Sequence, residues 1–159
     1  MDYERLFRSL YPQLFRYLHR LTGDADAAED AAQEAFVRLA RGNLDEDDAK
    51  PWLFAVGTNL VRDAARKADR HRRLEVHVPR SSAPPLPDAI AERNEAVAAV
   101  RRALDRLPER DRKILLMREE GFQYDEIARS IGVAATSVGT LLARAGRRFA
   151  AEFAATAHG

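Results

Sequence analysis

The stretch PERDRKILLMREEGFQYDEIARSIGVAATSVGTLLARAGRRF, residues 108–149, decides the fold. Pro108 suits the start of a helix, where a missing amide leaves no bond unmade. Ile114, Leu115 and Met117 give that helix an apolar side, and Gly121 ends it. Residues 124–131 form a second, short helix with Ile127 and Ala128 facing inward. The small Ala128 lets the next helix cross closely. Gly132 stands where a tight turn needs positive φ, and Val133 plugs the space beneath it. A last helix over 137–149 is held by Val138, Leu142 and Phe149. It turns Thr136, Ser137, Thr140, Arg144, Arg147 and Arg148 outward. This is the grammar of a helix-turn-helix. Such a helix fits the major groove, its N-terminal residues meeting base edges and its arginines reaching phosphates. Each phosphate contact releases counterions, so binding weakens with salt.

Outward from this segment the pattern stays helical. Leu6, Phe7, Leu10, Tyr11, Leu14, Leu18 and Leu21 repeat at three and four residues, one stripe of a long first helix. Gly23 ends it, and Asp24 or Asp26 caps the next. The second helix carries Ala28, Ala31, Ala32, Ala35, Phe36 and Leu39 on one side and stops at Gly42 and Asn43. An acidic loop is expected over 44–49. Pro51 suits the first turn of a third helix bearing Trp52, Leu53, Val56, Leu60 and Ala64 and running to about Arg73. Trp52 reads as core, with stacking on a base as the alternative. Residues 78–88, VPRSSAPPLPD, hold four of the seven prolines and read as an extended tether. Helical pattern resumes near Ala91, with Val97, Val100, Leu104 and Leu107 marking a fourth helix that stops before Pro108. Three short helices follow. The expected fold is all-α, with two small helical domains and a proline-rich linker between them.

Composition narrows the function. No cysteine is present, which excludes disulfides, thiol catalysis and zinc–cysteine sites. No apolar run approaches the ~18 residues needed to cross a bilayer, and no signal-peptide pattern opens the chain. The net charge of +1 does not announce a nucleic-acid binder, but its distribution is uneven. Residues 24–48 hold nine acids against Arg38 and Arg41, whereas residues 50–73 hold seven bases against Asp63 and Asp69. Adjoining segments of opposite sign suggest two different partners.

Two further stretches go beyond generic helix. One is DAAEDAAQEAFVRL, residues 26–39; the other is WLFAVGTNLVRDAAR, residues 52–66. Together with GFQYDEIA at 121–128 and Val138 with Arg144–Ala145, they resemble the sigma-70 family of bacterial sigma factors. The chain's size and the absence of an intermediate domain resemble the extracytoplasmic-function (ECF) group. The resemblance covers nearly the whole chain. It implies a sigma region 2-like domain over 1–76, a flexible linker over 77–91 and a sigma region 4-like helix-turn-helix over 92–159.

The resemblance also implies roles. Asp30, Gln33, Glu34, Phe36, Val37 and Arg38 match the face that docks on the clamp helices of the polymerase large subunit. An acidic, partly apolar face meeting a basic coiled coil is physically sensible. Asn59 matches the asparagine that helps capture a flipped base of the promoter −10 element. Arg62, Arg66, Lys67, Arg70, Arg72 and Arg73 then hold phosphates of the melting strand. Flipping costs about a few kcal/mol, which a polar pocket and positive charge must offset. Thr136, Ser137, Thr140, Arg144, Arg147 and Arg148 take the −35 element. Asp63 also has a plainer reading, as an ion-pair partner of Arg66 or Lys67. The linker implied by the family runs through the polymerase cleft, reaching roughly 3.1 Å per residue in polyproline form.

The chain departs from the family pattern in two places. The loop over 44–49 usually carries aromatic or basic residues, and here it is acidic, which repels phosphate. In the last helix, Gly139 and Leu141 replace the usual lysine and arginine.

The implied partners are core RNA polymerase (clamp helices and flap), promoter DNA and an anti-sigma factor, with no membrane contact and a cytoplasmic location. No catalytic constellation, metal-ligand cluster or phosphate-binding glycine loop appears, so neither an enzyme nor a cofactor is expected. His19, His71, His77 and His158 are scattered. Two other functions stay open: a helix-turn-helix regulator acting without polymerase, and a sigma-like decoy that binds an anti-sigma factor.

Overall fold

The computed structural model describes residues 1–74 and 88–158, with side-chain surroundings described for 1–74 and 93–156. The proline-rich stretch 78–87 lies outside the described residues. Within them are seven helices and no strand: α1 (Tyr3–Thr22), α2 (Ala25–Arg41), α3 (Glu46–Leu74), α4 (Asp88–Asp105), α5 (Glu109–Glu119), α6 (Tyr124–Ile131) and α7 (Ala135–His158).

Local chemistry sets the first three. Asp2 caps α1 by accepting from the Arg5 amide at 3.1 Å. Gly23, at φ 72°, closes it with its own amide on the His19 carbonyl at 2.7 Å. Asp24, rather than Asp26, then caps α2 through the Ala27 amide. The leucine stripe of α1 is buried against Ala28, Ala31, Ala32 and Ala35, whose small side chains bring α2 close. Gly57 does the same for α3: a Cβ there would lie 3.1 Å from one Leu18 methyl and 3.2 Å from a Leu14 methyl.

Three expectations are corrected. The acidic segment is a loop only to Asp45, and Glu46, Asp47 and Asp48 are the first turn of α3. Acids at that end are favoured by the helix dipole, which draws the start back past Pro51. Pro51 therefore sits inside α3 and has no amide to give the Asp47 carbonyl. That carbonyl instead accepts from Arg129 Nη1 at 3.2 Å. The second correction concerns α4, which starts at Asp88. Its Val97 and Val100 are 63% and 40% exposed, while Ala103 and Leu104, and Leu107 just beyond its end, are buried. Third, α7 is not short: its 24 residues run through the alanine-rich 150–155, the best helix formers, despite Gly139 and Gly146.

The C-terminal helices pack on one another and also on α1 and α3, so the buried residues form one continuous cluster. Phe54 of α3 and Phe122 of the α5–α6 turn, both fully buried, meet with ring centroids 4.5 Å apart.

Candidate functional site

Three surfaces carry the residues singled out above. The first is the outer face of α2. Asp30, Gln33, Glu34, Val37 and Arg38 are all exposed along it. Gln33 donates to Glu29 at 3.2 Å and Arg38 to Glu34 at 3.1 Å, at ordinary i,i+4 spacing. Val37, 39% exposed, is an apolar spot among these charges. Phe36 is not on this face and the expectation of direct contact is corrected. It is 1% exposed and lies edge-on to Phe7 at 5.0 Å and Tyr3 at 6.2 Å. Its position follows from helical period: 28, 32, 35, 36 and 39 turn toward α1 while 30, 33, 34, 37 and 38 turn away. Phe36 holds the face in place from beneath. The Tyr3 hydroxyl adds a 2.9 Å hydrogen bond to the Phe36 carbonyl.

The second surface is α3 beyond its buried half. Thr58 is buried and shares a 2.7 Å hydrogen bond with the Tyr17 hydroxyl. Burial pushes the Tyr17 phenol well above its ordinary pKa, against the pull of that bond, so it stays neutral. Next to Thr58, Asn59 turns outward. Its amide oxygen accepts from Arg62 Nη2 at 2.7 Å, leaving the amide NH2 free to donate. Arg62 in turn lies 3.5 Å from Glu109 of α5. Asn59 lines a pocket together with Ala55, Lys113, Met117, Ser130 and Ile131, so helices from the C-terminal half form one of its walls. Arg66, Lys67, Arg70, Arg72 and Arg73 are exposed along the far turns of α3. Asp63 pairs with neither Arg66 nor Lys67; the pair formed there is Arg72–Asp69 at 3.7 Å. Trp52 is half-buried against the core.

The third surface is the helix-turn-helix itself. Gln123 and Glu126 make a capping box at the start of α6. Gly132 closes α6 at φ 76°, a left-handed conformation that favours glycine. Ile127 and Ala128 of α6 and Val138 and Ala145 of α7 are buried. Thr136, Ser137, Thr140, Arg144 and Arg147 stand exposed on α7. Arg148 is engaged: its Nη1 lies 2.6 Å from Oδ2 of Asp111, which is 2% exposed. Part of its hydrogen-bonding capacity therefore goes to tying α7 onto α5.

Asp111 was not evident in the sequence, because nothing local marks a carboxylate in the first turn of α5 as buried. Glu120 was missed for the same reason. Its side chain is 4% exposed and bridges Arg16 at 3.0 Å and Arg20 at 3.2 Å. It raises the Arg16 pKa through the hydrogen bond first and its charge second.

A three-helix unit with an unused charged face, joined to a helix-turn-helix with a polar and basic outer side, is the architecture these residues define. Residues 6–71 match the model of Sigma-70 region 2, and residues 98–148 match that of Sigma-70, region 4. The ECF RNA polymerase sigma factor SigE of Mycolicibacterium smegmatis is 30% identical over 149 residues, covering 90% of this chain and 57% of that protein. SigM of Mycobacterium tuberculosis, also named an ECF RNA polymerase sigma factor, is 32% identical over 152 residues, covering 93% of this chain and 75% of SigM. The chain thus spans a little over half of one of these relatives and three-quarters of the other. Among solved structures, the sigma factor RpoE in complex with the anti-sigma factor NepR from Bartonella quintana shares the fold. Its TM-score is 0.65 at 21% identity, over 95% of this chain and 96% of that one. The chain belongs to the ECF sigma factors of the sigma-70 family. Among the described residues, no helix is long and apolar enough to cross a membrane.

Proposed function

We propose that the chain is a promoter-specificity subunit of bacterial RNA polymerase, acting in the cytoplasm and not itself a catalyst. Asp30, Gln33, Glu34, Val37 and Arg38 dock on core polymerase. Asn59 takes a flipped base of the −10 element, with Arg66, Lys67, Arg70, Arg72 and Arg73 on the strand's phosphates. Thr136, Ser137 and Thr140 meet −35 base edges, with Arg144 and Arg147 on phosphates. An anti-sigma protein, the kind of partner named for RpoE, is the proposed restraint. The observation that carries the reading is the exposed α2 face. Five polar, charged and apolar side chains stand exposed on it, and Phe36 packs with Phe7 and Tyr11 beneath them.

Run-off transcription with purified core polymerase tests the proposal. Product that depends on the chain is expected. DNA binding without transcription would favour a free-standing regulator, and neither activity would favour a decoy. For the −10 assignment, Asn59→Ala is expected to lose transcription while still entering holoenzyme. Full activity of that variant would refute the pocket role.

A further inference from the structure

Gly139 and Leu141 stand where the family pattern carries a lysine and an arginine, and the two departures differ in kind. Leu141 packs against the core, so burial accounts for it. Gly139 does not. It lies one helical turn from Thr136 and from Ala143, both exposed, on the flank of the face that α7 turns outward. Helix interiors disfavour glycine, so a neighbour must account for its place.

That neighbour is Tyr124, the first residue of α6. A Cβ at 139 would lie 3.5 Å from Tyr124 Cε2. That is ordinary contact distance, so alanine fits and a longer side chain has to displace the ring. Gly146, farther along the same helix, has nothing within 4 Å. Tyr124 is 46% exposed, yet it is held on a firm base. Gln123, just before it, caps α6, and its amide donates to Glu126 Oε1 at 2.8 Å. The Arg118 guanidinium lies over the ring, 5.4 Å from its centre, and is itself anchored by a 2.6 Å hydrogen bond from Nη1 to the Phe122 carbonyl. The ring therefore adds a fixed apolar surface beside Thr136 and Thr140. On the major-groove edges of the bases, the apolar group is the thymine 5-methyl.

We propose that Tyr124 is a base-reading residue: its ring occupies the space that a side chain at 139 would use and rests on a thymine 5-methyl of the −35 element, so that α6 as well as α7 specifies sequence. This rests on the promoter reading given above.

The test uses holoenzyme reconstituted from the full chain and core polymerase. Duplexes randomised over the −35 region are first enriched by binding. Each thymine of the enriched element is then replaced singly by dU, which removes only the methyl, and affinity is measured by fluorescence anisotropy. At one position the parent holoenzyme should lose roughly four-fold in affinity, the worth of one buried methyl. Tyr124→Ala should bind the thymine duplex about as weakly as the parent binds dU, and should no longer tell the two apart there. Tyr124→Phe should keep the discrimination. Gly139→Lys should abolish it by displacing the ring, whereas Gly139→Ala should keep it. Circular dichroism and polymerase capture check that each variant is folded and assembled.

An enriched element without thymine, or dU replacements that are all silent in the parent, would overturn the proposal. So would a Tyr124→Ala variant as sensitive to dU as the parent at every position. Equal losses in Tyr124→Phe and Tyr124→Ala would assign the hydroxyl to a phosphate and overturn base reading. Enrichment without Tyr124-dependent discrimination removes this inference alone. No enrichment by the holoenzyme removes the promoter reading and this inference with it.

Discussion

Replacing Arg148 tests whether α7 is anchored by a buried carboxylate. Asp111 is 2% exposed and its Oδ2 sits 2.6 Å from Arg148 Nη1, whereas the Arg148 side chain is 53% exposed. The two partners differ in what each leaves behind. Arg148→Ala strands a carboxylate away from water, and losing a charged hydrogen bond with its partner buried costs about 2–3 kcal/mol. Asp111→Ala strands a half-exposed guanidinium that water re-solvates, so solvent screening discounts the loss to about 1 kcal/mol. For a chain of this size, ~1 kcal/mol moves Tm by roughly 2–4 °C. Scanning calorimetry should then show Arg148→Ala melting about 5–10 °C lower and Asp111→Ala about 2–4 °C lower. The double variant should be less destabilised than the sum, with a coupling of roughly 1–2 kcal/mol. If Arg148→Ala leaves Tm unmoved but abolishes binding to −35 DNA, the arginine serves DNA and the anchoring argument fails. Equal losses in the two single variants would also refute it, since the asymmetry in burial is the whole basis of the ordering.

Three further outcomes are expected. Gly146→Ala should raise stability by about 0.8–1 kcal/mol in a thermal melt, because a Cβ there meets nothing within 4 Å, and −35 binding should not change. Phe36→Ala should destabilise the N-terminal helices by about 3–5 kcal/mol, whereas Gln33→Ala with Glu34→Ala should leave Tm unchanged and weaken capture of core polymerase in a pull-down. Thr58→Val should cost about 1–3 kcal/mol in denaturant unfolding by leaving the buried Tyr17 hydroxyl unpaired.

Much of the helical framework was legible locally, and the reason differs by residue. Asp24 caps α2 and Gly132 turns the chain at φ 76° because each acts on backbone atoms within a few residues. The helix-turn-helix followed from the same short-range signals. Two boundaries were misread where local signals competed. Pro51 suggested a helix start, yet the acids ahead of it satisfied the dipole and carried the start back to Glu46. Phe149 suggested an end, yet the alanines beyond it kept α7 going. Val97 and Val100 sat on a correct helical stripe, but packing reached only the last turns of α4.

The candidate surfaces divide along the same line. Periodicity alone puts Asp30, Gln33, Glu34, Val37 and Arg38 on one side of α2 and Phe36 on another. A motif match lists them together and cannot say which of them touches a partner. The sequence by itself determined the all-α class, the helix-turn-helix and the order of the two units, since these rest on interactions between residues at most a few positions apart. Tertiary structure alone decided the rest. Asp111 meets Arg148 across 37 residues, Glu120 meets Arg16 across 104, and Asp48 meets Arg129 across 81. A surface charge and a buried one look alike in a string of letters. Only the packing of α7 on α5 and of α5 on α1 removes water from Asp111 and Glu120, and the arginines that reach them offset the cost of burying each carboxylate.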